Sequence, residues 1–114
     1  MAADQARRSD QLVALDTTPP APDVPGITAR AIEVDGVRWA LVEYEADARR
    51  EEWCHDGHAG YVVSGAIEYE FEDGTPSLSA NEGQAFSLAT GRGHRGRNVG
   101  DGFTRLFLVD EPVP

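Results

Sequence analysis

Apolar and polar residues alternate along this chain in short runs separated by turn signals. The clearest case is 66–72, where Ile67, Tyr69 and Phe71 alternate with Glu68, Glu70 and Glu72. A period of two means a strand with one buried face and one wet face. Two further runs, 27–34 and 37–45, flank Asp35-Gly36, a strong short-range signal for a two-residue hairpin. Residues 60–64 form a β-branched and aromatic run, and Asp73-Gly74-Thr75-Pro76 turns the chain after the alternating strand. Shorter candidates follow at 77–80, 85–88 and 93–98, and 103–109 closes the series. About eight short strands at close spacing, with no convincing helix, predict an all-β sandwich or barrel.

The first 26 residues break this pattern. Pro19, Pro20, Pro22 and Pro25 crowd the stretch, so any helical turn over 8–15 must stop there. We read 1–26 as a mobile N-terminal arm, or a strand hugging the sheet edge, that leads into one domain over 27–114. A chain of 114 residues suits a single modest core. The formal net charge of −10 argues against nucleic acid and anionic membrane surfaces as partners. No apolar run is long enough to span a bilayer, and the first residues lack a secretory-signal pattern. The single cysteine excludes an internal disulfide, and a reducing cytoplasm is the expected compartment.

Candidate chemistry concentrates in 51–65. Cys54, His55 and His58 lie within five residues, directly before the strand at 60–64. Two turns suit this segment. A two-residue loop at Asp56-Gly57 pairs His55 with His58. A three-residue loop, His55-Asp56-Gly57 with Gly57 left-handed, pairs Cys54 with His58 and is favoured because glycine suits that last position. In the second register the strand period places Glu52 on the same face. Glu52, Cys54, His58 and, from a distant strand, His94 then form a candidate ligand set. A carboxylate, a thiolate and two imidazoles suit Zn²⁺ well and Fe²⁺ less so. Arg38 and Arg105 interrupt apolar strands, which makes them candidates to hold a carboxylate of a small-molecule ligand. Trp53, opposite in phase to Cys54, is expected outside the barrel.

The stretch from Gly83 to Asn98 resembles the second motif of the cupins, G-x5-P-x-G-x2-H-x3-N. Gly83, Gly91, His94 and Asn98 fall in register, and Ala89 stands at the proline position. The first cupin motif, G-x5-H-x-H-x3-E-x6-G, aligns through its final glycine at Gly65. Its carboxylate position then falls on His58, its two histidine positions on Glu52 and Cys54, and its opening glycine on Ala46. The resemblance spans about residues 27–110. It implies a cupin-like antiparallel β-barrel, a double-sheet jelly roll with its site in the open mouth. It also implies either a divalent metal acting on a small polar molecule or a metal-free binding or sensing module. Whether the chain is an enzyme stays open at this point. A small open barrel with an edge to hide, preceded by an arm suited to strand exchange, predicts a homodimer.

Overall fold

The computed structural model describes residues 9–111. Residues 1–8 of the expected arm and the last three of the expected domain lie outside that range. Among the described residues nine strands form: β1 (Ala21–Val24), β2 (Ile27–Val34), β3 (Val37–Tyr44), β4 (His58–Ser64), β5 (Ala66–Phe71), β6 (Leu78–Asn81), β7 (Ala85–Leu88), β8 (His94–Asn98) and β9 (Thr104–Asp110). They make a six-stranded antiparallel sheet, ordered β1-β2-β3-β9-β4-β7, and a three-stranded one, ordered β6-β5-β8. The chain crosses between sheets at β4–β5, β6–β7, β7–β8 and β8–β9, as a jelly roll does.

Local chemistry explains the frame. Asp35 and Gly36 both take positive φ, 53° and 78°, the type I′ geometry that matches strand twist and closes the β2–β3 hairpin. On β5 the alternation holds, with Ile67 and Tyr69 buried. Glu68 and Glu70 face outward and pair across the ladder with Arg97 and Arg95 of β8. Such exposed ion pairs fix register more than they stabilise, at roughly 0–1 kcal/mol each. Between the sheets Ile27, Val42, Tyr44, Val62, Ile67 and Leu106 are almost wholly excluded from solvent. Burying each such side chain stabilises the fold by roughly 1.5–3 kcal/mol.

The arm is not wholly detached. A 3-10 turn at Leu15–Thr17 precedes β1, whose residues pair with β2 at the sheet edge while all remaining exposed. Arg30 donates to the carbonyl of Thr18 at 2.7 Å and so ties this stretch to β2.

Candidate metal centre

Three strands and one irregular segment build the site. The chain between β3 and β4 is not a regular strand, and within it only Arg49 and Cys54 make isolated bridges. Cys54 is bridged to His94 at the start of β8. The Cys54 N–H donates to the His94 carbonyl at 2.8 Å and the His94 N–H returns a bond at 2.9 Å. Directly opposed residues in an antiparallel pair point their side chains to the same face, so thiol and imidazole converge. His58, the first residue of β4, lies opposite Asp110 of β9. Its Nε2 stands 3.7 Å from Cys54 Sγ, and its Nδ1 lies 2.8 Å from Asp110 Oδ1.

Nearby ligand atoms of Cys54, His58 and His94 all lie within 4.8 Å of one another. A tetrahedral zinc ion needs separations of about 3.3–3.8 Å, so shifts of about 1 Å close the set around an ion. Two further observations suit a metal. Asp110 accepts the Nδ1–H of His58, which turns Nε2 toward the cluster; this carboxylate–histidine arrangement is the one that orients metal-bound imidazoles. His94 is 3 % exposed, and its Nδ1 is buried with no hydrogen-bond partner among the described residues. An unpaired buried nitrogen costs free energy unless something binds it.

Electrostatics couple the pair. Hydrogen bonding from His58, then from His94, lowers the Cys54 thiol to about 6 against the opposing effect of burial. Burial pulls His58 down, but the Cys54 sulfur and Asp110 outweigh it and leave its pKa raised. The same contact thus lowers the thiol and raises the imidazole, so each residue favours the charged form of the other.

The group opens onto a cavity of about 300 Å³ between the sheets. Arg38, in phase with buried Ala40 and Val42, lines it, as do Tyr44 and Arg50. Arg50 donates Nε to the Tyr44 hydroxyl at 3.1 Å and pairs with Asp23 of β1 at 2.8 Å.

The structure revises several expectations. Glu52 is exposed on a bend and does not join the cluster; the two-residue strand period that placed it there fails because its segment is irregular. Cys54 bridges His94 and not His58, and Gly57 is not left-handed. Gly57 is needed for space instead, since a Cβ there would come within 2.8 Å of the Thr90 nitrogen and within 2.5 Å of Thr90 Oγ1. Arg105 faces outward, opposite in phase to buried Leu106 and Leu108, and pairs with Glu43 at 2.7 Å. It does not reach the cavity. His55 is exposed and bound to Glu72 at 2.9 Å. Trp53 lies beneath the Arg95 guanidinium, 4.0 Å from its ring centroid. Asp110 and Arg50 are functional candidates that the sequence pattern did not single out. Asp110 carried a faint signal, a polar residue in the inward phase at the end of an apolar strand.

Fold and site together define a small double-sheet β-barrel with a cysteine–histidine cluster at its mouth. No family model matches the chain and no curated protein matches it by sequence. Solved structures do match it. The cupin domain of Cnp3 from Schizosaccharomyces pombe superposes with a TM-score of 0.69 at 15% identity, over 87% of this chain and 67% of that one. KdgF from Halomonas sp. gives 0.67 at 20% identity, over 87% and 90%. The polyketide cyclase RemF from Streptomyces resistomycificus gives 0.72 at 18% identity, over 93% and 83%. The chain has the cupin fold. In the second-motif stretch, Gly83 and Gly91 take φ of 86° and 88°, the left-handed backbone that glycine allows. Asn98 is buried and donates to the carbonyls of Glu45 and Gly102, which makes it a structural hub. No helix among the described residues is long and apolar enough to cross a membrane.

Proposed function

We propose that this chain binds one divalent metal ion through Cys54, His58 and His94 and presents it to a small polar molecule entering the barrel. The observation that carries this reading is the directed Nε2 of His58, fixed by Asp110 and facing Cys54 at 3.7 Å. Three protein ligands leave a tetrahedral ion one open position, the pattern of reactive rather than purely structural zinc sites. A thiolate with two imidazoles favours Zn²⁺, with Fe²⁺ as the second choice. When bound, such an ion supplies a Lewis acid for a ligand oxygen. This chain's residues hold it, set the His58 tautomer and exclude water with Val42 and Leu108.

A second reading is a metal-free binding or sensing module. Its support is that Cys54 Sγ and His58 Nε2 stand 3.7 Å apart and partner each other without any ion. Elemental analysis of protein purified without chelator or nickel resin separates the two. About one zinc or iron per chain supports the metal site. Metal-free protein that also takes up no Zn²⁺ or Co²⁺ on titration refutes it.

A further inference from the structure

The cavity wall holds two arginines in different states. Arg50 is committed to Asp23 and Tyr44. Arg38 has no hydrogen bond, ion pair or ring contact among the described residues. None of its five N–H donors has an acceptor among the described residues. The ladder places it close to the cluster. Trp39 faces Val109, so the next step of the register sets Arg38 beside Asp110, which itself faces His58. Arg38, Asp110 and His58 thus occupy one inward-facing row on β3, β9 and β4. Two strand spacings put the Arg38 and His58 backbones about 10 Å apart, and the arginine side chain covers most of that gap. Asp110 already accepts from His58. A metal ion carrying one thiolate keeps net positive charge, so ion and guanidinium would attract the same anion from two sides.

We propose that the ligand of this cavity is a short carboxylate-bearing molecule, such as a dicarboxylate or a hydroxy or oxo acid. Its carboxylate sits bidentate on Arg38, and a second oxygen function takes the open metal position. The second contact rests on the metal reading above; the first does not. A volume of about 300 Å³ lies at the low end for small-molecule sites, which suits a ligand of few heavy atoms.

The test is calorimetric titration of the zinc-loaded full chain with malonate and, as the neutral counterpart, malonamide. It is repeated on Arg38→Gln and Arg38→Lys, with zinc content and zinc affinity measured in parallel. Wild type should bind malonate, and malonamide at least about tenfold more weakly. Arg38→Gln should lose about tenfold or more in malonate affinity at unchanged zinc affinity. Arg38→Lys should fall between, since it keeps the charge but not the planar fork. Malonate binding equal in Arg38→Gln, or malonamide binding as tight as malonate, overturns the proposal. So does zinc binding without malonate binding, which leaves the metal reading intact. A parallel loss of zinc affinity in Arg38→Gln also overturns it, because Arg38 would then merely support Asp110 and His58. If wild type takes up no zinc the metal reading fails, and malonate titration of the metal-free protein decides alone. Binding that Arg38→Gln abolishes upholds the subsite, and no binding overturns it.

Discussion

His58 Nδ1–H donates a hydrogen bond to Asp110 Oδ1 across 2.8 Å, and that one bond decides which ring nitrogen faces Cys54. The carboxylate touches no other group of the cluster, so its contribution is orientation and added imidazole basicity. Asp110→Ala should therefore lower zinc affinity by about 10–100-fold while the fold persists. Competition against a chromophoric chelator reads the affinity, and far-ultraviolet circular dichroism reads the fold. Unchanged affinity would detach Asp110 from the site.

The thiol gives a pH prediction. With Cys54 lowered to about 6 by hydrogen bonding from His58 and His94, alkylation of metal-free protein by iodoacetamide should rise with pH through a midpoint near 6. An ordinary cysteine titrates near 8.5. His58→Ala removes the largest cause, so its midpoint should move up toward the ordinary value. The sign for stability follows. A depressed thiol favours the folded state above its unfolded pKa, and that contribution is lost as pH falls through about 6. A wild-type midpoint above 8 would contradict the pairing.

Gly57 sits where backbone segments touch. Its N–H donates to Thr90 Oγ1 at 3.1 Å, and its carbonyl accepts from the Glu111 N–H at 2.8 Å. Gly57→Val should destabilise the protein by about 1–3 kcal/mol through overpacking. It should also weaken zinc binding, because His58 follows directly. Thermal melts of metal-free protein measure the first effect. A wild-type melting temperature would show that Thr90 and Glu111 yield freely.

Much of the fold was legible in alternation and turn chemistry. Asp35-Gly36 declared its hairpin, and Ile67 and Tyr69 declared the buried face of β5. His94 and Asn98 stood in a motif whose glycines, Gly83 and Gly91, take positive φ. The site was legible only in part. Strand periodicity carries no information through an irregular segment, so it misplaced Glu52 and missed the Cys54–His94 bridge. Non-local pairing also hid Asp110, which lies 52 residues from His58. Arg38 and Arg105 looked alike in sequence, and their opposite phases on β3 and β9 separate them.

Oligomeric state tests a different surface. On the outer face of the six-stranded sheet, Leu41, Phe107 and Tyr61 form one cross-strand row, and Trp39 and Val109 form the next. Tyr61 and Val63 remain 44 % and 45 % exposed. We propose that a second copy covers this row, sheet against sheet, which would hide an apolar face that monomers rarely leave open. Light scattering should give twice the chain mass of 12.3 kDa, and Tyr61→Glu should shift it toward monomer without altering zinc affinity. A monomeric wild type at tens of micromolar would rule the dimer out.

The central claim is that Cys54, His58 and His94 act as one ligand set, and zinc titration of five single variants tests it most directly. Cys54→Ser, His58→Ala and His94→Ala should each lose about tenfold or more in affinity. Each should also lose the rise in melting temperature that zinc gives wild type, since binding stabilises only the folded state. Glu52→Gln and His55→Ala, both exposed and outside the cluster, should bind as wild type does. Equal, weak binding across all five variants and wild type would contradict the account and leave the barrel a metal-free pocket.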